Sequence, residues 1–163
     1  MQLSITLIII IITALVSIGG FNNPKIINDL IFYPPAVSRQ NQVYRFFTCG
    51  FIHADYSHLI FNMITLYFFG PYVERGFEQL FGTSGRWLYL LMYITALAVS
   101  LLPTYLKNKD NQYYRSLGAS GAVSAVLFAG LLLKPTSSVY LFFIPIPIPG
   151  FIFAPAYLLL SAY

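Results

Sequence analysis

Apolar residues along this chain gather into blocks of helix-spanning length, separated by short polar stretches. The first block runs from Leu3 to Gly19, and Gly19-Gly20 followed by Asn22-Asn23-Pro24 supplies the stop. A second, "SHLIFNMITLYFFGPYV", covers Ser57 to Val73 with Ser57 as N-cap, after which Glu74, Arg75 and Glu78 return the chain to water. The turn residues of "LFGTSGR" lead into a third span, Trp87 to Leu102, which Pro103 ends. A fourth runs from Ser116 to Leu133 and is closed by Lys134-Pro135. After Gly150 the helical pattern restarts in "FIFAPAYLLLSAY", thirteen residues that reach only about 20 Å against a hydrocarbon core of about 30 Å. The pattern therefore stops inside a fifth span, which implies further protein downstream.

Two segments break the pattern. Phe21 to Tyr56 is apolar but interrupted by Pro24, Pro34, Pro35 and several charges, so it predicts short helices lying at an interface rather than a crossing. "VYLFFIPIPIPG" alternates Pro145, Pro147 and Pro149, which predicts an extended, polyproline-like path.

Composition places these blocks in a bilayer. Charged residues are 9% of the chain and apolar ones 58%, where a soluble domain carries about 25% charge. Residues 1–163 suffice for one membrane domain, an all-α bundle of about five transmembrane helices. The net charge of +4 sits in the connections, without a basic stripe, and reads as membrane-flanking charge rather than a nucleic-acid surface. Cys49 is the single cysteine, so there is no intrachain disulfide and no cysteine cluster for a metal. Ser17 and Gly19 form a small-x-small pair like a signal-peptide cleavage site. The missing basic n-region and the length of the apolar run favour a retained first helix.

Polar groups at membrane depth are costly, so each calls for a role. His58 and Asn62, four apart, share one face of the second span and would both point into the bundle. For the pair taken alone, ordinary interhelical hydrogen bonding is the better explanation. Gly121, Ala125 and Ala129 make a small-residue stripe that ordinary helix packing also explains. Ser120, between Gly118-Ala119 and Gly121, stands near a helix N-terminus, where unpaired backbone N–H groups are the raw material of an oxyanion hole. A base is missing: His58 looks like a donor, and His53 belongs to the preceding loop.

Taken in order, "YRFFTCGFIHADYSHLIFNM" and "GASG" resemble the rhomboid intramembrane serine proteases, a six-helix fold. Tyr44-Arg45, Thr48, His53, His58, Asn62 and Ser120 fall on that family's pattern, with Tyr44 where tryptophan is commoner. Glu78 and Gly82 look like its Glu-x-x-x-Gly. The resemblance implies Ser120 as nucleophile, its own N–H, His58 and Asn62 as oxyanion stabilisers, and His53, Gly118 and Gly121 as site support, with no metal and no cofactor. It also implies transmembrane-helix substrates entering from the lipid, and a multi-pass protein of a bacterial plasma membrane. The family's base is a histidine on the sixth helix, and the chain has only two histidines. These residues alone are therefore expected to be inactive or nearly so, and a catalytically inactive rhomboid-like protein that binds membrane helices is the alternative. With the N-terminus cytoplasmic, as the resemblance implies, Lys25, Arg39, Arg45, Lys107, Lys109 and Arg115 fall outside, against the positive-inside rule.

Overall fold

The computed structural model describes residues 4–134, 138–141, 144–150 and 152. Four long helices make the bundle: α1 (Ile5–Asn22), α5 (Tyr56–Phe81), α6 (Gly85–Asn108) and α7 (Ser120–Leu133). Helix α7 packs on both α5 and α6, and α1 packs on α5. The core between them includes Ile9, Leu66, Val73, Tyr89, Ala122 and Val126. The predicted fifth span, beyond Gly150, lies outside the described residues apart from Ile152.

Outward faces stay apolar: Leu15, Phe68, Trp87, Leu91 and Leu132 are all exposed. Ile5–Asn22 and the near-continuous helical stretch Tyr56–Asn108 are long and apolar enough to cross a membrane by length and composition. Only 33% and 17% of their most apolar windows are buried. A core helix of a soluble protein would bury most of that surface, so lipid is the solvent this exterior suits.

Three of the spans are longer than their sequence punctuation suggested, and the fourth is shorter. Helix α1 passes through Gly19-Gly20 and ends where Asn23 closes it, the Asn23 amide donating to Gly20 O at 3.1 Å. Helix α5 is capped by Asp55, not Ser57; Asp55 Oδ1 accepts from the His58 amide at 2.8 Å and from the Ser57 hydroxyl at 2.6 Å. Pro103 lies inside α6, which runs on to Asn108. A proline removes one ladder bond without ending a helix that neighbours hold in place. Helix α7 begins at Ser120, four residues later than expected, because Ser116 pairs in an antiparallel bridge with Phe32.

Glu74 is the largest departure. Instead of meeting water it is 5% exposed, and α5 continues past it to Phe81. Its carboxylate accepts from the Ile5 amide at 2.8 Å, the Thr6 amide at 3.1 Å, the Ser4 hydroxyl at 2.6 Å and the Thr6 hydroxyl at 2.9 Å. The first turn of α1 has orphan donors, and the positive end of a helix dipole favours an anion. A carboxylate from α5 meets both needs and fastens α1 to the bundle.

Between α1 and α5 lie the predicted short helices: α2 (Pro24–Leu30), α3 (Pro34–Gln40) and α4 (Arg45–Thr48), then a 3-10 turn, Cys49–Phe51. They carry a small core of their own, Phe32, Val37, Phe46 and Cys49, set against Ala98, Leu101 and Tyr105 of α6. Buried Arg45 ties the segment together through Nη1 to Ile31 O at 2.6 Å and Asn28 O at 2.9 Å, while Nε reaches Gln42 Oε1. Thr48 Oγ1 adds a bond to Leu30 O at 3.0 Å. The proline-rich tail is extended as expected but not polyproline-like, since β1 (Ser138–Leu141) and β2 (Ile144–Pro149) pair as an antiparallel hairpin with Val139 opposite Ile148.

Candidate active site

Three bonds position the residues that lead into α7. Phe32 and Ser116 exchange backbone bonds at 2.9 and 3.0 Å, the Gly118 amide donates to Cys49 O at 2.9 Å, and the Ala119 amide donates to His53 Nε2 at 3.4 Å. The interfacial segment thus holds the turn from Ser116 to Ala119 along its length. Gly118 sits there at φ +112°, and a methyl on it would lie 2.6 Å from His58 Cε1 and 2.9 Å from His58 Nε2. Only glycine accepts both that backbone and that close an imidazole.

Ser120 is the first residue of α7 and is exposed, while Ala119 before it is fully buried. Ala119 has no side-chain acceptor, so no side chain caps the first-turn amides beside the Ser120 hydroxyl. That hydroxyl opens on a cavity of about 410 Å³ between α6 and α7. Ser100, Ser116 and Ser124 line it together with the apolar Leu97, Leu101 and Phe128. This is room for roughly a dozen waters. A larger groove of about 550 Å³, lined by Phe77, Phe81, Leu88 and Met92, is almost wholly apolar and lies away from Ser120.

The structure brings both histidines to this turn. The rings of His53 and His58 meet edge to face with centroids 4.8 Å apart. His58 lies against Gly118 and His53 against Ala119, the two residues before Ser120. Asn62 is buried on the same face of α5, but one of its two amide protons goes back to His58 O at 2.9 Å, not into the bundle. Gly121 serves helix packing: a methyl there would meet Ser100 of α6.

Electrostatics separate the candidates. Burial, reinforced by the nearby His58 charge and only partly offset by Asp55, pushes His53 down from 6.5 to about 4, so it is neutral near pH 7. Asp55 is held below the usual carboxylate range by the Ser57 hydroxyl and the His58 amide. Burial raises the Cys49 thiol to about 12, which removes it as a nucleophile. Among the described residues no cluster of three His, Cys, Asp or Glu side chains is arranged to hold a metal ion.

Two contributors to the site escaped the sequence reading. Ser17 of α1 contacts His53, with its Oγ 2.9 Å from Nδ1, and the Cys49 carbonyl anchors Gly118. Thr6, Thr13 and Ser17 fall on one buried face of α1 at steps of seven and four. That spacing was readable as a polar stripe turned inward.

A family model described as the Rhomboid domain matches residues 40–163. Among curated proteins, the chain is 33% identical over 118 residues to "RHOMBOID-like protein 12, mitochondrial" of Arabidopsis thaliana, covering 67% of this chain and 35% of that protein. It is 39% identical over 92 residues to "Rhomboid-like protein 11, chloroplastic" of the same plant, covering 56% of this chain and 29% of that protein. The chain spans about a third of the length of these relatives. Both carry organellar names, which lends no support to the expected bacterial plasma membrane.

Proposed function

The chain belongs to the Rhomboid domain family, and we propose that it carries the acyl-transfer half of an intramembrane serine endopeptidase site, with Ser120 as nucleophile and membrane-helix segments as substrate. The observation that carries this reading is the exposed hydroxyl of Ser120, set at an uncapped helix start beside a hydroxyl-lined cavity, on a turn braced by two histidines. A scissile carbonyl attacked by Ser120 would develop its negative charge beside the Ser120 N–H, with His58 and Asn62 as the side-chain donors. Each such donor contributes about 3 kcal/mol to transition-state binding. The serine hydroxyls of the cavity would hold the water that hydrolyses the acyl-enzyme, in a setting where the hydrocarbon supplies none.

The proton of Ser120 needs an acceptor, and one observation favours a second reading. His53 Nε2 already accepts from the Ala119 amide, and the sequence contains no histidine besides His53 and His58. A general base contributes about 10² to 10⁴ in rate, so these residues alone would bind a membrane helix far better than they cut it. On the second reading, binding is the function, and the cavity receives unwound segments without hydrolysis.

One experiment separates the two. The protein is reconstituted in liposomes with a photo-crosslinkable transmembrane peptide that contains a helix-destabilising Gly-Ala pair, with and without molar imidazole as a diffusible base. The protease reading expects slow cleavage that imidazole accelerates and that Ser120→Ala abolishes. Crosslinking without any Ser120-dependent cleavage, imidazole included, overturns it in favour of binding.

A further inference from the structure

Ser17 lies five residues before the end of the first span, fully buried, in a position that lipid packing does not require. Its Oγ donates to Phe51 O at 2.9 Å and stands 2.9 Å from His53 Nδ1. A serine hydroxyl has one proton. With that proton given to a carbonyl, which can only accept, Oγ has lone pairs alone to offer the imidazole, and Nδ1 must be the donor. The other side of the ring gives the same answer independently. The Ala119 amide donates to Nε2, so Nε2 carries no proton. The two sets of partners agree on one neutral tautomer.

We propose that Ser17 is a positioning residue for the Ser120 site, acting through His53: by fixing the ring with its proton on Nδ1, it keeps Nε2 available to the Ala119 amide and so couples the first helix to the turn that presents Ser120. The relay joins residues 36 and 66 positions apart in sequence. A second proton, on Nε2, would face the Ala119 N–H directly, so the relay uses the neutral ring. His53 is thereby a poor base for Ser120, its one lone pair being engaged. Ser17, which in sequence resembles part of a cleavage site, acquires a structural role as the partner of the imidazole.

The consequence for catalysis rests on Ser120 being the nucleophile; the tautomer itself does not. The test is nitrogen-15 histidine NMR on the whole chain in nanodiscs, where only two imidazoles contribute signals and His58→Gln assigns them. His53 is expected to show the protonated Nδ1 and bare Nε2 pattern at pH 7. Ser17→Ala is expected to shift it toward the opposite tautomer or a mixture and to speed hydrogen exchange of the Ala119 amide by about tenfold, with Ser17→Thr restoring both. A wild-type His53 protonated on Nε2 overturns the proposal without any variant. So does a folded Ser17→Ala protein whose tautomer and Ala119 exchange are unchanged. If the tautomer behaves as stated but Ser120 cleaves nothing, the protease reading fails and the relay stands.

Discussion

The first helix is fastened at both ends, by opposite means. At its N-terminus a full charge, Glu74, accepts four bonds from the opening turn. Near its C-terminus a neutral pair does the work, Ser17 against His53. The two sites are about 18 Å apart along α1, counting twelve residues from Ile5 to Ser17. The charged clamp has its carboxylate satisfied by donors on α1 and serves the fold. The neutral clamp passes its last lone pair to the turn before Ser120, so it serves the site. A charge at the second position would place a fixed ion beside the serine proposed as nucleophile.

That contrast gives graded predictions. Glu74→Ala should be the most damaging, because it strands the buried Ile5 and Thr6 amides and removes the Ser4 hydroxyl's acceptor at a helix start, leaving the Thr6 hydroxyl only Tyr89. The loss is about 3 kcal/mol or more, read as a lower thermal midpoint in detergent, and Glu74→Gln should recover part of it. Gly118→Ala comes next at about 2 kcal/mol, since it forces a side chain into a positive-φ position against His58. Unlike the Glu74 changes, it should also remove reactivity at Ser120 in molecules that remain folded.

Arg45→Met should cost a similar or slightly smaller amount, leaving the Ile31 and Asn28 carbonyls without their donor. Limited proteolysis should then open the 24–51 segment first. The pH effect is smaller. His53 is depressed from 6.5 to about 4, so the unfolded chain takes up its proton first. Stability should fall as pH drops from about 6.5 and stop falling below about 4. The Asp55 contribution is lost only at still lower pH, because its carboxyl is held below the usual 3.8. Melts between pH 7.5 and 4 check this, and His53→Asn should flatten the slope. Leu132→Ala, on the outward face of α7, should change nothing measurable.

Much of this arrangement was legible in the sequence because it follows from period and spacing. The bundle helices are apolar runs, with α1, α5 and α6 long enough to cross and α7 shorter, and the proline-broken segment declared itself as short helices. His53 was grouped with Ser120 through the resemblance to the rhomboid pattern and not through spacing. What stayed hidden depends on partners distant in sequence. Glu74 reads as a surface charge until α1 is laid against it, and Ser17 reads as a signal-peptide residue until His53 arrives from the loop. Pro103 looked like a stop because local propensity cannot register the neighbours that hold α6 in register past it. Asn62 was placed on the correct face, but its bond to the His58 carbonyl is a rotamer choice that spacing does not determine.

On the proposed reading Ser120 is the reactive serine among the four that line one cavity, with Ser100, Ser116 and Ser124. The most direct measurement is to treat the reconstituted protein with a fluorophosphonate in the presence of imidazole and to map the adduct by peptide mass spectrometry. The account predicts an adduct on Ser120 that Ser120→Ala abolishes and Ser124→Ala leaves in place. An adduct on Ser124 or spread over the four serines, or labelling that survives Ser120→Ala, would contradict it.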